Sequence, residues 1–164
     1  LFISIAEKFA EAIIIISSKG KFVNEIKSIS DRKSLNIKVV DWINYNDLSS
    51  FLSIADALIV TLEDDASIFS VPSKIYAYLT IGKPILASMP ADNLGSKKIK
   101  KMQVGYVSKP ENINAFLNHS RLIIQSKRLR VKLSNNSKKY LKTKQSSIHK
   151  MIKIIEQLKM KDLT

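Results

Sequence analysis

The stretch that decides the fold is Ser70–Ser88, SVPSKIYAYLTIGKPILAS. Its order of residue types predicts a loop, a helix, a stop and a buried strand. Pro72 suits the first turn of a helix, where a missing N–H costs nothing, and Ile75, Tyr78, Leu79 and Ile81 recur at helical spacing. Gly82 can take the left-handed conformation that closes a helix, Pro84 blocks its continuation, and Ile85, Leu86 and Ala87 begin an apolar run of strand length. A loop that opens into a helix leaves first-turn N–H groups without helical partners. Those near Ser73 and Lys74, reinforced by the helix dipole, favour a phosphate or a sugar hydroxyl. Ordinary capping with solvent exposure is the competing reading of these two side chains.

Upstream of this stretch, Ala12–Ser17 (AIIIIS) is apolar on both faces and bounded by Lys19 and Gly20, as suits a central strand of a parallel sheet. Lys21–Ile29 carries Phe22, Ile26 and Ile29 at helical spacing, and Ile37, Val39 and Val40 predict a second strand. Asn46 or Asp47 can cap a helix whose inward face is Leu48, Phe51, Leu52 and Ala55. Ala57–Leu62 (ALIVTL) reads as the third strand, followed by an acidic loop from Glu63 to Phe69. Downstream, a basic surface helix is expected over Asp92–Met102 and a minimal edge strand at Gly105, Tyr106 and Val107. From Pro110 only helices remain: one led by Ile113, Phe116 and Leu117, another over Leu129–Leu141, and a last amphipathic one marked by Ile148, Ile152, Ile155 and Leu158. This alternation predicts an α/β fold with an open, mostly parallel sheet, helices on both faces and a ligand site beyond the carboxyl ends of the strands.

Composition narrows the chemistry. With 164 residues, 45% of them hydrophobic, one well-buried domain is expected. The chain has no cysteine and only two histidines, His119 and His149, far apart, so neither a disulfide nor a metal site is expected. Both histidines read as surface helix positions, and Tyr78 as core. The longest apolar run, Ala12–Ile16, is far shorter than a membrane-spanning helix requires, and no signal-peptide pattern opens the chain. A cytoplasmic location fits these features, and a start at Leu1 fits a piece of a longer protein. Charge is divided unevenly: residues 1–92 hold 9 Lys+Arg against 11 Asp+Glu, residues 93–164 hold 18 against 3. A field of this kind attracts anionic lipid headgroups, nucleic acid or a polyphosphate; a solvated helical surface is the plain alternative.

Three ordered segments carry a family resemblance. Val39–Leu62 (VVDWINYNDLSSFLSIADALIVTL), Ser70–Ser88 and Val104–Pro110 (VGYVSKP) together resemble the C-terminal, sugar-nucleotide-binding half of a family-4 glycosyltransferase with the two-domain GT-B fold. The form PSK, YL, GKP in the middle segment is closest to the subgroup that builds bacterial surface polysaccharides such as capsule or O-antigen. The resemblance implies a Rossmann-like domain over residues 1–142, its first strand and glycine-rich turn lying upstream, and a C-terminal helix over 143–164 that packs toward an N-terminal acceptor domain. It implies a retaining transfer from a nucleotide sugar, preferentially a UDP-sugar, to a lipid-linked or polysaccharide acceptor, with no metal and no further cofactor. Trp42 and Ile43 would frame the base; Ser70, Val71, Ser73 and Lys74 would face the donor sugar and diphosphate. No catalytic residue is assigned: Ala77 stands where many members carry a carboxylate, and the chain alone is expected to be inactive.

The partners implied are the nucleotide sugar, the acceptor domain and, peripherally, the anionic inner face of the membrane. Two other readings compete. A sugar-nucleotide epimerase shares the architecture, but this half offers no convincing set of carboxylates and histidines. A basic nucleic-acid-binding module could use Lys97–Lys101 and Lys127–Lys144, yet interleaved aromatic residues are lacking, so no nucleic acid is expected.

Overall fold

The computed structural model describes residues 1–63 and 72–161, with side chains through residue 146. Among the described residues, five short strands and seven helices follow one another as α1 (Phe2–Lys8), β1 (Ile14–Ser17), α2 (Lys21–Lys33), β2 (Ile37–Val40), α3 (Tyr45–Ser53), β3 (Leu58–Thr61), α4 (Ser73–Ile81), β4 (Ile85–Ser88), α5 (Leu94–Met102), β5 (Gly105–Ser108), α6 (Ile113–Gln125) and α7 (Lys127–Lys161). Every strand pairing is parallel. Each strand is followed by a helix, as a crossover connection between parallel neighbours requires.

The residues of Ser73–Ser88 form the helix, stop and strand that their order predicts. Pro72 precedes the first turn of α4 as its N-cap rather than lying within it. Gly82 closes the helix at φ +74°, donating its N–H to the Tyr78 and Leu79 carbonyls at 3.0 and 3.1 Å. The strand that follows, β4, is buried along its whole length because it is covered on both faces. Leu86 joins one core with Ile5, Phe9, Ile14, Phe116 and Ile123, from α1, β1 and α6. Its neighbours Ile85 and Ala87 point the other way, into a second core with Ile75 and Leu79 of α4 and Ile99 of α5. Alternation of side chains along a single strand thus separates the two layers of helices.

The strands are hydrogen-bonded in two groups, β1 with β2 and β3-β4-β5, rather than in one continuous sheet. The backbone shows where the ladder is interrupted. Leu58 and Leu62 donate to Pro84 and Ser88 across to β4, so Ile59 and Thr61 turn their N–H and C=O groups away from it. Ile14 donates to Asn36 toward β2, which turns Ile15 the opposite way. Among the described residues, no strand pairs with either outward edge. The Tyr78 hydroxyl covers one such group, donating to the Ile59 carbonyl at 3.2 Å. Ile13 and Ile15 remain 54% and 42% exposed, although the sequence reads as a strand covered on both faces.

The helical end also differs from expectation. Instead of separate helices around Leu129–Leu141 and Ile148–Leu158, α7 is continuous from Lys127 to Lys161. Its middle, KTKQSSIHK, holds neither glycine nor proline, so nothing in the chain stops the helix. The start of α3 shifts by two residues as well: Asn44 is its N-cap, and the helix buries no residue fully.

Candidate functional site

The residues singled out from the sequence follow the carboxyl ends of two strands in chain order. Trp42 and Ile43 follow β2 and lead into α3; Ser73 and Lys74 open α4, the helix after β3, and α3 packs against α4. Trp42 is 72% exposed and Ile43 half-buried, so the indole offers a free face where the sequence expected a base to be framed. Ser70 and Val71 lie outside the described residues.

The start of α4 carries no side-chain cap, as is also true of α1, α2 and α3. Pro72 as N-cap makes no side-chain capping hydrogen bond, whereas Asn93 and Asn112 cap α5 and α6 by accepting from Gly95 and Ala115 at 2.7 and 2.9 Å. The Ile75 N–H returns to the Pro72 carbonyl at 3.0 Å, tightening the first turn. Ser73 and Lys74 are both exposed beside it, and among the described residues no carboxylate pairs with Lys74. A helix terminus with its N–H groups forward and an ammonium at its rim suits a diphosphate, whose charge it meets with both dipole and cation.

The opposite face of α4 is held in place. Ile75 and Leu79 are buried to 0% and 1% exposure. Tyr78 is anchored to β3 as described, and burial raises its phenol above its ordinary pKa, keeping it a hydrogen-bond donor. Tyr78 is therefore structural, as its spacing suggested. Tyr76, on another face, accepts a hydrogen bond from Lys98 of α5 at 2.9 Å, and the same ammonium stands 4.3 Å from the ring centroid. That contact raises the Lys98 pKa and leaves its positive charge secure at neutral pH.

One cluster escaped the sequence reading. Thr61, Ser88 and Ser108 stand in register at the carboxyl ends of β3, β4 and β5, a row of three hydroxyls across the sheet. Ser108 Oγ lies 2.9 Å from His119 Nδ1, and the imidazole stacks on Tyr106 with centroids 4.7 Å apart and planes inclined by 17°. His119 is therefore a packed, half-buried residue and not a simple surface position. Desolvation, then the charge of Lys100, lower its pKa from the ordinary 6.5, so the ring is neutral near pH 7. The signal was present in the sequence: His119 follows Phe116 by three residues and precedes Ile123 by four, on the inward face of α6. Its partners come from β5, which periodicity alone cannot supply.

Parallel strands with helices on both faces and a helical C-terminal end define a Rossmann-like α/β domain. The sequence matches the family described as glycosyl transferases, group 1, over residues 1–140, and the chain belongs to that family. It is thus a glycosyltransferase domain, of a class that takes its glycosyl group from nucleotide-sugar donors. Neither the curated proteins nor the solved structures compared with it gave a match. Among the described residues, no helix is long and apolar enough to cross a membrane.

Proposed function

We propose that this domain binds the nucleotide-sugar donor of a retaining, family-4-type glycosyltransferase that builds a bacterial surface polysaccharide. The observation that carries the reading is the start of α4, where Ser73 and Lys74 are exposed beside an N-terminus without a side-chain cap. In this reading the diphosphate sits against Ser73 and Lys74, with Ser70 and Val71 beside the sugar, while Trp42 and Ile43 flank the base. The departing nucleoside diphosphate carries the charge that develops during transfer, so dipole and ammonium assist the step by stabilising the leaving group. A UDP-sugar is the preferred donor, and the acceptor is lipid-linked or a polysaccharide at the cytoplasmic face of the membrane.

The open edges of β1 and β3 support a further part of this reading. An additional parallel strand, supplied from upstream, would pair with Ile15 on one side and Ile59 and Thr61 on the other, joining the two sheets into one. An acceptor-binding domain would precede it and complete the cleft, residues 1–142 forming the donor domain and 143–164 a helix directed toward the other half. The family match ends at residue 140, beside that boundary. The chain alone then binds donor and does not transfer it.

Trp42 is the sole tryptophan, so its fluorescence reports directly on the proposed base site. Titration with UDP-, GDP- and ADP-sugars should give saturable quenching with at least one of them. No saturable response to any of the three, by fluorescence or calorimetry, would remove the proposal.

A further inference from the structure

The outer face of α7 carries a row of cations with no acidic residue in the same stretch of chain. Between Asn112 and Ile155 the sequence contains no Asp or Glu. The inner side of the helix is fixed by its contacts: Leu133 and Ser137 are buried, Asn136 donates to the Gln103 carbonyl at 2.7 Å, and Tyr140 packs on the core beneath α4. At about 100° per residue, the opposite arc then holds Lys127, Arg128, Lys132, Lys138, Lys139 and Lys142. All six are exposed, as are Val131 and Asn135 between them. They extend over roughly 22 Å of helix at about 1.5 Å per residue. The salt bridge made by this helix among the described residues uses Arg130, on a different arc, with Asp56 at 3.2 Å.

Six exposed cations on one arc of the helix raise a local positive potential that no acidic residue in the same stretch of chain offsets. We propose that this arc of α7 is the docking surface for an anionic phospholipid bilayer, orienting the donor domain at the membrane. Charge complementarity carries the choice of occupant. The row presents no exposed aromatic ring on which a base could stack, and Val131 is the one apolar side chain in its middle, so the helix rests on headgroups without inserting. The membrane as partner rests on the lipid-linked acceptor proposed above, whereas the cationic arc does not depend on that reading.

The test is flotation of the whole chain with vesicles of neutral phosphatidylcholine alone or containing about one third phosphatidylglycerol. Binding is expected to the anionic vesicles only, and to fall at least tenfold between 0.05 and 0.5 M salt, since screening shortens the reach of exposed charges. The triple change Arg128→Glu, Lys132→Glu and Lys139→Glu should abolish it. A control of equal charge, Lys21→Glu, Lys27→Glu and Lys38→Glu on α2 and β2, should retain most of it, with thermal unfolding confirming that both variants fold. Equal loss in both triples would reduce the effect to net charge and overturn the proposal, as would absence of binding to anionic vesicles. Tighter binding to an oligonucleotide than to vesicles, lost in the α7 triple, would replace the membrane by nucleic acid. Titration of the α7 triple with nucleotide sugars separates the two readings: unchanged donor binding with lost flotation supports a surface apart from the donor site, and flotation without any donor binding leaves only the donor reading refuted.

Discussion

Gly105 begins β5 opposite Ile85 of β4, and a Cβ built on it would stand 1.9 Å from the Ile85 carbonyl oxygen. Backbone on the other side cannot move aside as a flexible side chain could, so Gly105→Ala forces the strands apart. The expected loss is about 3 kcal/mol or more, seen as a marked fall in the thermal midpoint. His119 gives a pH signature. Its folded pKa is lowered, so below the ordinary 6.5 the unfolded chain binds more protons, and the stability it contributes is lost as pH falls through the folded value. Urea melts from pH 7.5 to 5 should therefore show declining stability, with a shallower slope in His119→Asn. At the proposed donor rim, Lys74→Ala should weaken nucleotide-sugar binding about tenfold or more, the usual size of a charge-assisted hydrogen bond, with little change in stability because Lys74 is exposed. These residues differ in how far the sequence reveals them. Gly82 is legible because a helix followed by Lys-Pro needs a left-handed residue there; Gly105 is not, because its necessity comes from Ile85, twenty positions away in the chain.

Arg130 shows how elements are joined. Its guanidinium donates to the Ile123 and Ile124 carbonyls at 2.8 and 2.9 Å, covering the end of α6, while its Nε meets Asp56 just before β3. One side chain thus ties two helices and the sheet at a single corner. Arg130→Met keeps much of the apolar stem and removes these bonds; a loss of about 2 kcal/mol is expected in chemical denaturation. The elements themselves were mostly legible, because four-residue apolar runs alternate with amphipathic segments bounded by Gly, Pro or Asn. The extent of α7 was not, since the fading of its apolar period after Leu141 resembles an ending, and the absence of any breaker is the better guide. Neither was the cap of α3, where Asn44, Asn46 and Asp47 offer similar chemistry within four residues.

At the scale of the whole molecule, the division into β1-β2 and β3-β4-β5 is the feature that sequence could not reveal: strand-like runs predict strands, but pairing depends on which runs lie side by side. The outward groups of Ile15, Ile59 and Thr61 should exchange their amide hydrogens faster than those of Ile14 and Val60, whose strands pair inward. Restoration of slow exchange at those three positions in a longer protein carrying the upstream segment would match an added strand. The position of Ile43 after β2 and of Ser73 and Lys74 at the start of α4 was legible from the βα order, whereas the Ser108–His119 contact between β5 and α6 was not. The most direct test of the central claim is an amide and indole NMR titration of the chain with UDP. Donor binding at the start of α4 predicts saturable shifts at Ser73, Lys74, Ile43 and the Trp42 indole, reduced in Lys74→Ala. Saturable shifts centred on Ser108 and His119 with none at the start of α4, or no saturable shifts with any nucleoside diphosphate, would contradict it.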